Sequence, residues 1–355
     1  MTKARELADL IANVNHGSSL GNKNFIINGA MEIYQRGTSF DTSSGYGDYT
    51  LDRWMSGHTV TGKFSIDRVA DAPAGLKHSL KATSASAYSV GTNEEFVIRQ
   101  KIEGENCIPL ALGTASAKTV TLSFWVKSSL TGTFSGAFLN SAEDRCYVFT
   151  YAISSASTWE KKEVTVALDT SGTWVTSSGI GLTIYFSLGA GSGLQATAGS
   201  WISTKDLTTS SSVNLVGTNA ATWFITGVQL EIGKATAFEH EPNQLTLNRC
   251  LRYFNRITGY NTREFAGYNE STTKGLHVFR FAIKMRGNPT IGVSGTVSNY
   301  IIAYSNTQTA CNATLAFNTT NPEGVTFYSS VASGLTAGGA SCLRNIDYID
   351  LKAEL

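Results

Sequence analysis

The sequence has few charged residues and no excess of either sign. Asp, Glu, Lys and Arg make up 15% of the 355 residues, whereas about 25% is usual in soluble domains. With 28 basic and 27 acidic residues, the chain has no basic field to attract nucleic acid or anionic lipid. We therefore expect no nucleic-acid partner, and the neutral surface favours an adhesive or structural role.

Long hydrophobic runs are also missing. No apolar stretch approaches the roughly 18 residues of a membrane span, so we expect no membrane insertion. The first residues include Glu6 and Asp9, where a signal peptide would need its apolar region. The sequence therefore predicts a protein that reaches any extracellular site without a secretion signal.

Cysteines are few, odd in number and widely spaced, and no CxxC pair occurs. This spacing argues against a disulfide framework or a zinc site. We expect five reduced, mostly buried thiols and folding in a reducing cytosol. The five positions are Cys107, Cys146, Cys250, Cys311 and Cys342.

Signatures of catalysis are absent: the chain has no GxSxG elbow, Walker loop or HExxH. The glycine-rich "GSGLQA" at 191–196 lacks the following amphipathic helix of a dinucleotide site. "FEHEP" at 238–242 offers two glutamates and a histidine, but consecutive residues of an extended chain diverge. We therefore expect no enzyme, no cofactor and no metal, although carboxylates that converge from distant positions could still form a hydrolase or lyase site.

Two acidic pairs stand out in predicted turns. Solvated charge is the ordinary explanation for Glu94 with Glu95 and for Glu143 with Asp144. Neither pair by itself indicates a general acid and base.

From Asn24 to about Phe238 the sequence is rich in glycine and aromatic residues, and apolar and polar residues alternate with a period of two. In "TVTLSFWVKSS", Leu122, Phe124 and Val126 share one face, and Trp125 stands on the other. Several such strands without intervening helical patterns indicate a jelly-roll β-sandwich rather than a parallel α/β sheet. The predicted fold class is all-β.

Two further segments complete the predicted organisation. A short N-terminal helix is predicted within 1–22, because Leu7, Leu10 and Ile11 lie on one stripe that docks or self-associates. Near residue 242 the period changes from strand to helix, with Asn243 as the predicted N-cap and Leu251 and Phe254 at helical spacing. We predict a jelly roll over 23–241, and a linking helix with a smaller β domain over 242–355.

Aromatic residues are the remaining chemical signal, since sugar rings lie on aromatic faces while polar groups bind the hydroxyls. For each aromatic, packing in the core or between subunits is the competing interpretation. The candidates for glycan or receptor contact are Trp54, Trp125 and Tyr185 in the first domain and Tyr300, Tyr304 and Tyr328 in the loop-rich second domain.

An ordered set of motifs covers nearly the whole chain and resembles phage tail fibre and receptor-binding proteins. The set consists of "NFIINGAMEIYQRGTSF" (24–40), "YTLDRW" (49–54), "IRQKIEG" (98–104), "TVTLSFWVKSS" (119–129), "WEKKEVTV" (159–166), "GVQLEIGKATAFEHEP" (227–242), "LNRCLRYFNR" (247–256), "FAIKMRGNPTI" (281–291) and "YIDLKAEL" (348–355). The central block is also similar to the jelly roll of carbohydrate-binding modules.

This resemblance implies a homotrimeric rod, with intertwined or side-by-side subunits, that mediates adsorption to a host surface. Its N-terminus would attach to a phage tail or baseplate protein, and its C-terminal domain would bind a surface glycan or outer-membrane receptor. Leu251 and Phe254 would pack between domains or subunits, as would the N-terminal stripe. Such fibres belong to the virion and assemble in the host cytoplasm.

The carbohydrate-binding modules often hold a structural calcium through an acidic residue on the last strand. The corresponding positions here are Thr226 and Gln229, which are not acidic, so no calcium is carried over. Two alternatives stay open: a tailspike-type polysaccharide depolymerase, and a purely structural tail connector. The absence of short repeats argues against the parallel β-helix that is common among the depolymerases.

Overall fold

A computed structural model describes residues 23–43, 47–259, 263–345 and 347–355. The chain divides into two compact units, residues 1–246 with Leu355, and residues 247–354. We call them the sandwich unit and the C-terminal unit. The predicted N-terminal helix, with Leu7, Leu10 and Ile11, lies outside the described residues.

The sandwich unit contains two six-stranded antiparallel sheets. The first sheet has, in spatial order, β1 (Ser39–Asp41), β3 (Phe64–Val69), β4 (Ser79–Ser84), β12 (Thr222–Ile232), β6 (Thr119–Ser128) and β9 (Glu160–Ala167). The second sheet has β11 (Trp201–Ile202), β8 (Cys146–Ile153), β7 (Gly132–Leu139), β10 (Ile180–Ala190), β5 (Glu95–Glu103) and β2 (Trp54–His58).

The main core lies between these two sheets. Phe124 of β6 and Phe186 of β10 meet edge to face with ring centroids 5.2 Å apart, and Trp223 of β12 packs against Phe186 at 5.8 Å. All three side chains are fully buried, and each such burial contributes about 2 kcal/mol or more. The predicted all-β jelly-roll sandwich is confirmed.

Strand β12 occupies a central position in the first sheet, between β4 and β6. Its ladder is interrupted by a bulge between Thr226 and Gln229, where Gly227 adopts a φ of 59°. The strand also binds the beginning of the described chain, because Asn24 Nδ2 donates to the carbonyl of Val228 at 3.0 Å and Asn24 Oδ1 accepts from the amide of Leu230 at 3.0 Å. The last strand of the sandwich is thus an internal one.

Residues 191–214, which we call the covering segment, lie over the outer face of the second sheet. Leu207 of this segment is fully buried against Val97, Ala137 and Val148 of strands β5, β7 and β8. Because the main core covers the other face, the middle of the second sheet is buried on both faces. The short helix α1 (Gly104–Cys107) follows β5 directly.

The C-terminal unit has a three-stranded and a seven-stranded sheet, both antiparallel. The three-stranded sheet has β13 (Phe254–Thr258), β22 (Tyr348–Lys352) and β16 (Thr290–Val293). The larger sheet has β18 (Thr307–Ala310), β17 (Tyr300–Tyr304), β21 (Ala340–Asn345), β14 (Arg263–Asn269), β15 (Lys274–Arg280), β20 (Gly324–Ser330) and β19 (Ala313–Asn321).

The core of the C-terminal unit draws on both of its sheets. Phe265, Phe327 and Leu343 of the larger sheet form one buried cluster with Ile349 and Leu351 of β22. Phe265 and Phe327 meet edge to face at 5.2 Å. A separate core in each unit explains why the chain forms two compact bodies.

Helix α2 (Asn243–Leu251) begins one residue earlier than the predicted cap at Asn243 implies. The carbonyl of Pro242 accepts the amides of Leu245 at 2.8 Å and Thr246 at 3.2 Å. Pro242 thus occupies the N-cap position, and Asn243, the predicted cap, is the first helical residue. Across the described ranges, no helix is long and apolar enough to cross a membrane.

All five cysteines are free, and four of them are buried while Cys342 is half-buried. Burial raises the pKa of the Cys107, Cys146 and Cys311 thiols to about 12. These thiols are therefore protonated and unreactive at neutral pH.

Candidate functional site

The acidic elbow at 238–242 is held by structural hydrogen bonds. The Glu239 carboxylate accepts the backbone amides of Lys23 at 2.9 Å and Asn24 at 3.2 Å. Glu241 accepts the hydroxyl of Thr246 at 2.7 Å, in the first turn of α2. Among the described residues, no group of three or more metal-ligating side chains occurs. Both carboxylates of the elbow therefore have structural partners within the sandwich unit.

One member of the acidic pairs lies where the sequence does not place it. Glu95 was expected in a solvated turn, yet it is 2% exposed at the start of β5. Lys205 of the covering segment binds both Glu95, at 3.0 Å, and Glu143, at 3.1 Å. The carboxylates are thus paired by a lysine that fastens the covering segment, which is a structural role.

Tyr185 lies beneath the same segment. It is 2% exposed, and its hydroxyl accepts from Arg99 at 3.0 Å and donates to Glu143 at 3.0 Å. The covering segment closes the sheet face on which the Tyr185 ring stands, so this predicted glycan contact has almost no exposed surface.

Trp54 is also unavailable as a glycan contact. Its side chain has no exposed surface, and its indole N–H donates to the carbonyl of Asn28 at 3.0 Å. The ring packs at 6.4 Å from Phe186 between the two sheets. Trp54 therefore packs in the core, which is the competing interpretation given for this aromatic.

Trp125 differs, because it is half-buried on the outer face of the first sheet. Beside it on the same strand, Lys127 Nζ lies 4.3 Å from the centroid of Phe224 and 5.0 Å from that of Trp159. Lys127 also pairs with Asp71, and this hydrogen bond is the main cause that lowers the pKa of Asp71. The neighbouring rings are therefore occupied by the chain's own lysine, and Trp125 is the candidate of the sandwich unit that keeps exposed surface.

The three tyrosines predicted in the second domain fall into two groups. Tyr300 is 2% exposed, and its hydroxyl donates to the carbonyl of Ser294 at 2.9 Å; burial raises its pKa to about 12. The residue predicted as a receptor contact is therefore buried, as Trp54 is. Tyr304 and Tyr328 are half-buried and keep exposed surface.

Tyr328 belongs to a row of apolar side chains that crosses three strands of the seven-stranded sheet. Tyr268 of β14 stands opposite Leu276 of β15, which stands opposite Tyr328 of β20. Cross-strand partners have Cβ atoms about 5 Å apart on the same face. We call these three residues the aromatic row.

The aromatic row is open at one end and partly covered at the other. Tyr268 is 46% exposed, and Val278 beside it on β15 is 42% exposed. Lys274 Nζ lies 3.5 Å from the ring centroid of Tyr328 and pairs with Glu270 at 3.1 Å. The row thus offers one exposed tyrosine ring, Tyr268, while the lysine of a charged pair covers the other.

Tyr268 was not among the residues selected from the sequence. Alternation along "REFAGYN" could have indicated it: Phe265 lies in the core, so Ala266 and Tyr268 stand on the opposite face of the strand. A tyrosine two strand positions beyond an outward-facing alanine is expected to face solvent.

The residues predicted to pack between domains or subunits differ in exposure. Phe254 is fully buried at the start of β13, and Leu251 is half-buried at the end of α2. Their assignment to interdomain or subunit packing stays a prediction.

No family model matches the sequence, and no curated protein matches it. Several solved structures align with part of the chain. Tailspike protein 4 of bacteriophage CBA120 is 13% identical at a TM-score of 0.34 over 59% of this chain, which spans 22% of the tailspike domain. A candidate sugar-binding protein from Bacteroides thetaiotaomicron is 12% identical at a TM-score of 0.36, over 59% of this chain and 100% of its own.

A family 11 carbohydrate-binding module from Clostridium thermocellum, solved with a mixed-linked tetrasaccharide, is 14% identical at a TM-score of 0.28. It aligns over 56% of this chain and 100% of the module. Similarity at this level carries no argument about function, and the fold assignment rests on the two sheets and their shared core.

Proposed function

We propose that this chain is a non-enzymatic phage tail fibre protein that mediates adsorption to a host surface by recognising a surface glycan. The ordered motif set supports the tail fibre role. The aromatic row on the C-terminal unit is the observation that carries glycan recognition. In this proposal three copies form a fibre in the virion, after assembly in the host cytoplasm, with the N-terminus bound to a tail or baseplate protein.

The chemistry of the aromatic row fits a sugar better than a charged polymer. The apolar face of a sugar ring packs on an aromatic ring, and nearby polar groups bind its hydroxyls. Tyr268 offers such a ring, while Lys274 and Glu270 provide a donor and an acceptor of opposite charge. Exposed apolar patches rimmed by polar residues mark interaction surfaces in soluble proteins.

One exposed ring gives weak binding, so the number of copies matters. Three tethered copies raise the overall avidity by about 100-fold or more without any new contact. A homotrimer predicts light scattering at three times the chain mass of 38.0 kDa.

The test compares two tyrosines of equal exposure in different units. Tyr268 and Tyr34 are each 46% exposed. The full-length chain, fluorescently labelled, is screened against a panel of bacterial strains, and the strain that binds best is used. We expect Tyr268→Ala to weaken cell binding at least tenfold, the loss of an aromatic anchor, and Tyr34→Ala to leave binding unchanged.

Periodate treatment of the cells, which oxidises glycans, should remove binding, whereas protease treatment should not. Loss with protease alone would replace the glycan by a protein receptor. Equal binding by both tyrosine variants would refute the aromatic row as the recognition surface. A change in the trimer mass of Tyr268→Ala would instead reassign the row to subunit packing.

The two alternatives give different results. A depolymerase releases reducing ends or unsaturated sugars from the host polysaccharide during incubation. A structural connector binds no strain of the panel in its isolated form.

A further inference from the structure

Two adjoining clefts lie where the covering segment meets the outer face of the second sheet. The larger has a volume of about 620 Å³ and reaches Thr133 of β7 and Thr150 of β8. The smaller has a volume of about 320 Å³. Ser192, Gln195 and Thr209 line both, so the two form one continuous recess, which we call the hydroxyl cleft. Its size falls within the range of small-ligand sites.

The lining of the hydroxyl cleft is uniform in its chemistry. Every side chain on it, all from described residues, is a hydroxyl, an amide or a small apolar group, and none carries a charge. Phosphate, sulfate and carboxylate ligands are recognised through cations and bidentate guanidinium groups. A site with this lining therefore favours a ligand that is neutral and rich in hydroxyl groups.

Gln195 lies at the junction of the two parts of the cleft. Its side-chain amide makes no hydrogen bond to any described residue. The amide offers two N–H donors and a carbonyl acceptor on a half-buried side chain. A sugar hydroxyl, which donates and accepts, matches both ends of this amide.

The walls of the cleft are fixed before any ligand arrives. Lys205 binds Glu95 at 3.0 Å, the Cys146 thiol donates to the carbonyl of Asp206 at 2.8 Å, and Ser135 Oγ donates to Thr208 Oγ1 at 2.8 Å. These contacts hold the covering segment to three different strands. A preformed site loses little conformational entropy on binding.

We propose that the hydroxyl cleft binds a neutral oligosaccharide, at a site separate from the aromatic row and on the other unit of the chain. Without an aromatic ring in its lining, the cleft binds a single oligosaccharide weakly. Its selectivity comes from hydrogen bonds to hydroxyl groups and from the absence of cations.

The experiment uses the full-length chain and saturation-transfer NMR with titration. The probes are neutral hexasaccharides of glucose, galactose and mannose, and a hexamer of uronic acid as the anionic probe. We expect at least one neutral probe to bind and the anionic probe not to bind. Gln195→Leu should weaken that binding about tenfold, the loss of two hydrogen bonds of about 0.7 kcal/mol each.

Matched variants separate the cleft from other effects. Gln308→Leu, at an exposed glutamine of β18 in the other unit, should leave the titration unchanged. Thr150→Val, which removes a hydroxyl and keeps the shape, should weaken binding about threefold. Melting curves of each variant confirm that the fold is intact.

Preference for the anionic probe, binding by none of the neutral probes, or equal binding by Gln195→Leu and Gln308→Leu would overturn the proposal. These outcomes leave the aromatic row untouched, because that surface is tested by cell binding of Tyr268→Ala. The two proposals can therefore fail independently.

Discussion

Acidification should loosen the C-terminal unit because it contains a buried, uncharged histidine. His277 on β15 has no exposed surface. Its ring stacks on Phe327 at 5.9 Å, and its two nitrogens face hydroxyl groups, Ser329 Oγ at 3.0 Å and Ser341 Oγ at 3.5 Å. Burial lowers the pKa of His277 from 6.5 to about 4.

The sign and size of the effect follow from this depressed pKa. The unfolded chain binds a proton on His277 below pH 6.5, whereas the folded chain binds one only below about 4. The folded state is thus fully favoured above pH 6.5 and loses stability as the pH falls toward 4. At 1.36 kcal/mol for each pKa unit, the loss is about 2 kcal/mol at pH 5 and about 3 kcal/mol at pH 4.

Hydrogen–deuterium exchange is the suitable assay, because all six tryptophans lie in the sandwich unit and fluorescence would not report on this core. Peptides from β15 and β20 are followed between pH 7 and pH 4, with rates corrected for intrinsic exchange. His277→Gln removes the group that titrates. Between pH 7 and pH 4 the free energy of opening should fall by about 3 kcal/mol more in the wild type than in the variant, so the difference between the two proteins narrows by that amount. A constant gap would refute the reasoning, as would an equal narrowing in peptides from β12.

Three further predictions concern stability and reactivity. Asp169 accepts two hydrogen bonds from Arg145, at 2.6 and 3.0 Å. Desolvation alone would raise the pKa of Asp169, but these bonds outweigh it with the help of Ser171, and the pKa is lowered. We expect Asp169→Asn to destabilise the sandwich unit by about 3 kcal/mol, measured by tryptophan fluorescence in urea. Glu163 forms an exposed ion pair with Lys161, and Glu163→Gln serves as the control. A smaller loss of stability in Asp169→Asn than in Glu163→Gln would contradict the prediction. Phe254→Asp places a carboxylate at a fully buried position and should unfold β13, seen as loss of exchange protection in that strand while β6 stays protected. A thiol reagent at pH 8 should leave three native thiols unlabelled and label them in denaturant; rapid native labelling would show that the burial is wrong. These thiols are Cys107, Cys146 and Cys311.

Alternation within single strands predicted much of the core. Leu122, Phe124 and Val126 share one face in the sequence pattern, and all three have no exposed surface. A period of two depends only on local backbone geometry. Such a pattern is therefore readable without knowledge of the partners of the strand.

The same pattern could not show what lies over each face. Tyr185 does stand opposite the aliphatic residues of β10, as predicted, but Leu207 and its neighbours cover that face from the following segment. Alternation assigns residues to faces, and only tertiary contacts decide which faces meet water. The burial of Tyr185 and the hydroxyl cleft both result from the covering segment, which alternation along β10 does not reveal.

The aromatic row was predictable in part. Tyr268 follows from alternation along β14, whereas its alignment with Leu276 and Tyr328 depends on the register of three strands. Register in this sheet is set by turns and by core packing. A sequence can therefore propose each tyrosine but not their shared row.

The central position of β12 has a consequence for synthesis on the ribosome. The strand is the last of the sandwich in sequence, yet it pairs with β4 and β6, and Leu230 hydrogen-bonds to Asn24, 206 residues earlier. Until residue 232 has left the exit tunnel, the first sheet has a gap with two unpaired edges. Long-range closure of this kind folds slowly and exposes strand edges to aggregation. Chains that stop translation before β12 should therefore accumulate as insoluble products.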